Sequence, residues 1–391
     1  MAVRIGRKSG CRTAFFTLAL ERACEQAIDR YGRAMAGPLA GLTIVEMAGL
    51  GPGPFAAMML ADHGATVIRV ERAGMIAVPN DPLLRGRKSI VLDLKREECR
   101  AVVRKLCVSA DGLVEGYRPG VMERLELGPD ALIAANPKLV YGRVTGWGQA
   151  GPLAAEAGHD INYLAITGLL HGIGPKERPV VPVNYIADYA GGGMMLAFGM
   201  VAALLAVQRG GKGQVIDAAM SDGAALIGAL TYGLRAAGAW RDEREANLLD
   251  GGEPAYGVYR CLDGKFLALG AIEPQFRASL FKGLALPDGA DREQLAAVIA
   301  TRSRDDWARH FAGTDACVAP VLDLGEAPVH PHNIARRTFI DLDGVFQPAP
   351  APHYSQTILD RPDPPRRDGQ DGAAILEQLG YDADQIGQIL A

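Results

Sequence analysis

A histidine and an aspartate stand side by side in 158-GHDINY-163, and His159 and Asp160 are residue types that could transfer protons. Histidine side chains in general titrate near neutral pH, so a histidine can act as a base in one step and as an acid in the next. Neighbouring residues of a helix point about 100° apart, so Asp160 is poorly placed to orient the ring of His159. The pair is interpreted either as one proton carrier with an unrelated neighbour or as two polar residues at a helix start.

A second candidate carboxylate, Asp188, lies in 184-NYIADYAGGG-193 at the entrance to a long apolar run. An aspartate at this position is typical of a helix N-cap. The alternative is a catalytic carboxylate, since free N–H groups at the helix start would stabilise an oxyanion and the glycines would admit a ligand to the backbone. Catalysis by Asp188 requires partial burial, which raises the pKa of a carboxyl group.

The glycine-rich stretch 44-IVEMAGLGPGPFAAMML-60 suggests a dinucleotide-binding loop, but its prolines argue against that function. Such a loop binds pyrophosphate through successive backbone N–H groups, and Pro52 and Pro54 lack this donor. We expect a tight, stiff turn at which a ligand approaches the backbone, without a nicotinamide or flavin cofactor.

Short apolar strands alternate with helical segments from residue 42 to about residue 240, which predicts a doubly wound, mostly parallel α/β sheet. A long buried helix is expected after Gly193. The predicted strands are residues 42–47, 66–71, 89–94, 112–117, 139–146 and 214–220. The predicted helices before Gly193 include residues 55–64, 96–106 and 120–125.

The remaining chain predicts a second, smaller α+β unit. Residues 256–272 are expected to form a β-hairpin, because the pair Asp263-Gly264 favours the positive φ angles of a tight turn. The stretches 346–355 and 361–369 are rich in proline, which predicts an extended, solvent-facing tail.

The chain of 391 residues has an ordinary globular composition and a net charge of −4, which argues against a general nucleic-acid binder. Its six scattered cysteines predict reduced thiols in the cytoplasm, neither disulfides nor a metal site. The apolar run 191–207 is slightly short for a transmembrane helix, so no membrane is expected. Residues 1–34 are basic and lack a strand pattern, and we treat them as an N-terminal extension that need not be native.

The chain from Met35 to about residue 375 resembles the α-methylacyl-CoA racemases of the family III CoA-transferase superfamily. The motifs that carry the resemblance are 36-AGPLAGLTIVEMAGLGPGP-54, 64-GATVIRVER-72, 93-DLK-95, 115-EGYRPGVMERLELGP-129, 143-RVTGWGQ-149, 158-GHDINY-163, 210-GGKGQVIDAAMSDG-223 and 270-GAIEPQF-276.

The resemblance implies a Rossmann-like large domain that binds CoA and receives both chain ends, together with a smaller α+β domain. Its implied boundaries are 36–235 for the large domain, 236–345 for the small domain with its linkers, and 346–391 for the return to the large domain. It also implies a homodimer of two interlocked chains, in which each active site takes residues from both.

The reaction that the resemblance implies is inversion of the carbon next to a thioester carbonyl. A base removes the α-proton to give an enolate, and an acid returns a proton to the opposite face. The resemblance assigns His159 with Glu273 to one face and Asp188 to the other. From the residues alone, Glu273 before Pro274 is also typical of a helix start. No cofactor is expected, because the thioester delocalises the charge and CoA is part of the substrate.

CoA carries phosphate groups, so cationic side chains should line its path. The resemblance assigns Arg72, Lys95 and Arg124 to the nucleotide end of CoA, and Asp160 to its thioester and pantetheine end. Further cationic candidates with less support are Arg85, Arg87 and Lys88.

Two alternative functions stay open at this point. A family III CoA-transferase moves CoA between carboxylic acids through acyl-enzyme anhydrides, and Asp188 would then be the nucleophile. A protein of the same fold could also bind acyl-CoA without catalysis. The sequence does not distinguish branched fatty acyl, sterol side-chain and aryl-propionyl groups as the acyl part.

Overall fold

Six parallel strands form the central sheet in a computed structural model that describes residues 37–74, 78 and 80–391. The strands are β1 Thr43–Met47, β2 Thr66–Glu71, β3 Arg87–Val91, β4 Gly112–Glu115, β5 Val140–Thr145 and β6 Val215–Ala219. Their order is β3-β2-β1-β4-β5-β6, and every neighbouring pair is parallel. The predicted doubly wound sheet is confirmed, whereas the hypothesis about residues 1–34 lies outside the described residues.

Helices cover both faces of this sheet. The helices of the large domain are α1 Pro52–Asp62, α2 Glu97–Ser109, α3 Val121–Arg124, α4 Pro129–Ala135, α5 Asp160–Ile166, α6 Met195–Gln208, α7 Met220–Ile227 and α8 Ala229–Ala236, with 3-10 turns at Pro82–Leu84 and Leu170–Gly172. Val45 and Leu113 belong to an apolar layer with α2, whereas Ile44 and Val114 belong to a second layer with α1 and α6. Because both faces are covered, the strands can be apolar throughout.

The segment before α6 is a π-helix, Tyr185–Met194, which runs directly into α6. Within the described part of the chain, Tyr185–Gln208 is the one helix long and apolar enough to cross a membrane by length and composition. Its inner side, with Leu196 and Met200, is buried in the layer shared with the sheet. Its outer side is exposed, so the prediction of a buried helix is only half right. This outer side carries Phe198, which is 71% exposed, Val201 and Leu205.

The glycine run at the end of the π-helix serves close helix packing. A Cβ on Gly191 would lie 2.7 Å from the backbone nitrogen of Ala224, and a Cβ on Gly223 would lie 1.8 Å from the carbonyl oxygen of Gly191. Gly192 and Gly193 are buried as well. The expectation that this run admits a ligand to the backbone is wrong, because neighbouring helices already occupy the space.

The smaller unit has its own sheet and its own core. Its strands are β7 Tyr256–Arg260, β8 Phe266–Gly270 and β9 Val318–Pro320, and its helices are α9 Pro274–Leu284, α10 Arg292–Ile299 and α11 Arg304–Phe311. The strands pair antiparallel in chain order, and Gly264 in the first turn has a φ of 79°. The predicted hairpin is therefore confirmed. Trp307 and Phe281 lie in a core formed by this unit.

The C-terminal segment packs back onto the large sheet. After a 3-10 turn at Ala327–Val329 come α12 Pro331–Arg336, β10 Phe339–Leu342, β11 Val345–Pro348, α13 Gly372–Gln378 and α14 Ala383–Leu390. Ile375, Leu376 and Ile389 belong to the apolar layer that contains α2. The prediction of a solvent-facing tail is wrong at Gln347, which lies buried in β11, where its side chain accepts a hydrogen bond from Arg85.

Arg85 joins this C-terminal segment to the large domain. The residue is 2% exposed and donates to the two carboxylate oxygens of Asp62 at 3.0 and 2.6 Å.

We expect Arg85→Ala to lower the free energy of unfolding by about 3 to 5 kcal/mol, because the Asp62 carboxylate would stay buried without its partner. Urea unfolding measures the change. The control is Arg309→Ala, whose surface ion pair with Asp306 is worth at most about 1 kcal/mol. Equal losses in the two variants would contradict this role of Arg85.

Candidate active site

The candidate catalytic side chains lie at the carboxyl edge of the parallel sheet. β5 ends at Thr145, and the loop after it leads to His159 and α5. Asp188 lies on the π-helix, which packs against α5, α7 and β5. Carboxyl ends of parallel strands meet at one edge of a sheet, where α/β proteins bind their ligands. The structure thus brings His159, Asp160 and Asp188 together at this edge.

His159 is the N-cap residue of α5 and is exposed. Its backbone N–H donates to Oδ1 of Asn162 at 3.0 Å, and its carbonyl oxygen accepts from the backbone N–H of Asn162 at 2.8 Å. Reciprocal bonds of this kind hold the backbone at a helix start. The position of His159 is therefore fixed while its ring stays accessible to a ligand.

Asp160 connects α5 to the π-helix from inside the protein. The residue is 4% exposed, and its Oδ2 accepts the N–H groups of Ala187 at 2.7 Å and of Asp188 at 2.8 Å. The expectation that amides at this helix entrance are free to bind an oxyanion is wrong for these two, because Asp160 already accepts from both. The prediction that Asp160 contacts the ligand stays a prediction.

The carboxyl group of Asp188 is half-buried between α5 and the turn before α1. Burial raises its pKa, and the negative charge of Asp160 acts in the same direction. A hydrogen bond from Nδ2 of Asn184 to Oδ2 of Asp188 at 3.2 Å and the proximity of His159 oppose this rise. Gly51 has a φ of 69°, and a Cβ there would lie 3.7 Å from the same Oδ2. A carboxyl group with a raised pKa is better matched to proton transfer at neutral pH.

Tyr163 stands beside these acids, and sequence reasoning assigned it no role. Its hydroxyl donates to the carbonyl oxygen of Gly158, and its ring lies edge-on to Trp147 with the centroids 4.7 Å apart. Burial raises the pKa of Tyr163 to about 12, and the charges of Asp188 and Asp160 add to the effect. The side chain of Tyr163 is therefore uncharged and lies beside the site. Helical spacing from the histidine gave no signal for Tyr163, because His159 is an extended N-cap residue outside the helix.

Glu273 does not lie with these residues in the described chain. It is exposed at the start of α9 in the smaller unit, directly before Pro274. Its side chain makes no hydrogen bond to the first turn of that helix. The pairing of Glu273 with His159 stays a prediction.

The three cations predicted for the nucleotide end of CoA share the edge of the sheet with the site. Arg72 follows β2, Lys95 follows β3, and Arg124 ends α3 in the connection after β4. All three are exposed. In residues 37–74, 78 and 80–391, no cluster of three or more His, Cys, Asp or Glu side chains is arranged to hold a metal ion.

Two of the less supported cationic candidates have a structural role instead. Arg85 is paired with Asp62, as described above. Arg87 is buried, donates through Nε to Glu46 at 3.0 Å, and donates through Nη2 to the carbonyl oxygen of Pro54 in α1. A CoA-binding role for Arg85 and Arg87 is therefore wrong, because protein acceptors hold their guanidinium groups inside the domain.

The sequence and the fold match those of one protein family. The chain matches the family described as CoA-transferase family III over residues 39–371, and it belongs to that family. Within it, the chain is 44% identical over 370 residues to α-methylacyl-CoA racemases of Mus musculus and Homo sapiens, which covers 90% of this chain and 96% of each relative. The crystal structure of a CAIB/BAIF family protein from Brucella suis has a TM-score of 0.76 and 26% identity, covering 88% of this chain and 100% of that one. The resemblance found in the motifs is confirmed.

The raised pKa of Asp188 predicts that this residue limits stability at neutral pH. A carboxyl group with a raised folded-state pKa contributes stability that is present below its unfolded pKa and is lost as the pH rises through its folded pKa. We therefore expect Asp188→Asn, which mimics the neutral form, to raise the melting temperature at pH 7.5. The gain should shrink as the pH falls towards 4. The control is Asp130→Asn at the exposed start of α4. A pH-independent difference for Asp188→Asn would contradict the prediction.

Proposed function

We propose that the protein is a racemase that inverts the α-carbon of 2-methylacyl-CoA thioesters. The observation that carries the proposal is the joint placement of His159 and Asp188 at the carboxyl edge of the sheet. There, Asp160 binds the backbone of Asp188 and thereby fixes it to α5, the helix that begins after His159. Two proton carriers are what a reaction with proton removal on one face and proton return on the other requires. The 44% identity to proteins named α-methylacyl-CoA racemase supports the same reaction.

The proposed reaction needs only these side chains and the substrate. In one direction, the Asp188 carboxylate takes the α-proton, and the electron pair of the broken C–H bond moves onto the thioester carbonyl as an enolate. Protonated His159 then forms the new C–H bond on the opposite face. Asp188 is left protonated and His159 neutral, and proton exchange with solvent restores the starting state. The thioester is the electron sink, so we propose no nicotinamide, flavin or metal.

The substrate we propose is an acyl-CoA, held by cations along the carboxyl edge of the sheet. Arg72, Lys95 and Arg124 are exposed there and would meet the phosphate groups of CoA. Their distribution over the connections after β2, β3 and β4, which lie within four adjacent strands of the sheet, suits an extended ligand with several phosphates.

The complete site is proposed to need a second copy of the chain. The exposed side of α6 carries large apolar residues at helical spacing, Phe198, Val201 and Leu205, and Leu226 and Leu230 are also exposed. Apolar patches of this kind mark protein interfaces. In an interlocked homodimer, Glu273 of the partner subunit would bind the ring of His159, fix its tautomer and stabilise its protonated form.

Hydrogen exchange with solvent distinguishes the proposed reaction from its alternatives. One diastereomer of a 2-methylacyl-CoA is incubated with the protein in D₂O, and mass spectrometry and chiral chromatography follow the α-carbon. We expect deuterium incorporation together with epimerisation. Asp188→Asn and His159→Ala should each lower the exchange rate by at least about 100-fold, because each removes one proton carrier. Asp130→Asn, at the exposed start of α4, is the control.

The other outcomes of this experiment assign another function. Transfer of CoA to a free carboxylic acid without exchange at the α-carbon would identify a CoA-transferase with Asp188 as nucleophile. Acyl-CoA binding with wild-type exchange no faster than in Asp188→Asn would identify a binding protein without catalysis. Either result would contradict the racemase proposal.

A heterodimer tests whether Glu273 acts across the subunit interface. Chains with His159→Ala and Glu273→Gln are co-expressed with different tags, and the doubly tagged dimer is purified. If each site combines His159 of one chain with Glu273 of the other, one site carries both substitutions and one is intact, so about half of the wild-type activity returns. The matched control pairs His159→Ala with Asp188→Asn chains, which leaves no intact site. A His159→Ala/Glu273→Gln heterodimer as inactive as the two homodimers would contradict the shared site.

A further inference from the structure

The buried carboxylate of Asp160 is bound on one oxygen only. Oδ2 accepts the backbone N–H groups of Ala187 and Asp188 at 2.7 and 2.8 Å. Oδ1 is buried and has no hydrogen-bond partner among the described residues. All hydrogen bonds that the Asp160 side chain makes among the described residues therefore go to the backbone of the π-helix.

The two bonds of Asp160 act directly on the second proton carrier. One of the bound amides belongs to Asp188 itself, and the other belongs to the residue before it. At its own end, Asp160 is the first residue of α5 and follows His159 in the chain. A single side chain thus sets the position of the Asp188 backbone relative to the backbone of His159, although the two residues lie 29 positions apart.

Asp160 also places a negative charge beside Asp188. The groups that interact with the Asp188 carboxyl are Asn184 of its own helix, and His159, Asp160 and Tyr163 from α5. Of these, Asp160 is the one whose charge, second to burial, raises the pKa of Asp188. The residue therefore influences both the place and the protonation of Asp188.

We infer that the Asp160 side chain is a positioning residue for Asp188: it holds the Asp188 backbone through two amide N–H groups and is not a contact for the acyl-CoA. This inference rests on the proposed racemase function. It differs from the role that family resemblance suggests for Asp160, because it assigns the carboxylate to the interior of the protein.

Two substitutions separate position from charge. Asp160→Asn keeps a side-chain carbonyl oxygen that can accept from both amide N–H groups, but it removes the negative charge. Asp160→Ala removes the acceptor oxygen as well as the charge. We expect Asp160→Ala to lower kcat on the order of 100-fold with little change in KM, because a misplaced catalytic group loses about that much. Asp160→Asn should keep a much larger kcat and should move the limb of the kcat–pH profile that titrates Asp188 to lower pH. Asp130→Asn, at another helix start, should move neither quantity.

A readout that does not depend on activity tests the positioning itself. Amide hydrogen exchange of the peptide spanning 185–194 should be faster in Asp160→Ala and close to wild type in Asp160→Asn, since only alanine releases the two amides.

Unchanged amide exchange in Asp160→Ala would overturn the positioning role, even with racemase activity established. A raised KM with unchanged kcat and pH profile in Asp160→Asn would overturn it in favour of a ligand contact. If Asp160→Ala fails to fold, the pH profile and KM of Asp160→Asn decide alone. If the wild-type protein does not exchange the α-proton of the substrate, this result would instead contradict the racemase function.

Discussion

All six strands of the large sheet run in one direction, and this constraint places the candidates of the large domain at one edge of the sheet. Parallel strands need connections that cross a face of the sheet, so the loops after the strands emerge at one edge. Arg72 and Lys95 follow β2 and β3 there, and His159 arrives through the loop after β5. The sheet gathers these residues but does not set their spacing. The spacing between Asp188 and His159 comes from the buried Asp160, whose two hydrogen bonds to backbone N–H groups tie the π-helix to the start of α5.

One chain carries surfaces that are difficult to explain for a monomer. The helix α6 buries Leu196 and Met200 against the sheet and presents Phe198 and Leu205 to the outside. At the same time, Glu273 is exposed on the smaller unit, where its side chain does not cap its own helix. A second chain would cover the apolar helix and could bring its Glu273 to the histidine. The same interface would then contribute both to stability and to catalysis.

The sequence predicts well what local pattern controls. Apolar runs of strand length mark the six strands, and the Asp263-Gly264 pair marks the hairpin, because strand burial and turn conformation depend on residues close in the chain. Contacts between distant segments were not predictable. Arg85 and Arg124 are the same residue type, yet one is buried against Asp62 and the other is exposed. The role of Asp160 depends on amides 27 and 28 residues away, which no spacing rule connects to it.

The central claim is that His159 and Asp188 exchange protons with both faces of one carbon. Its most direct test starts two reactions in parallel, one from each pure diastereomer of a 2-methylacyl-CoA, and follows both to equilibrium by chiral chromatography. The methyl-bearing carbon is remote from the other stereocentres of CoA, so the two diastereomers have nearly equal free energies. The account predicts that both reactions converge on the same, nearly equal mixture. Conversion from one diastereomer only, or none from either while the protein binds both, would contradict it.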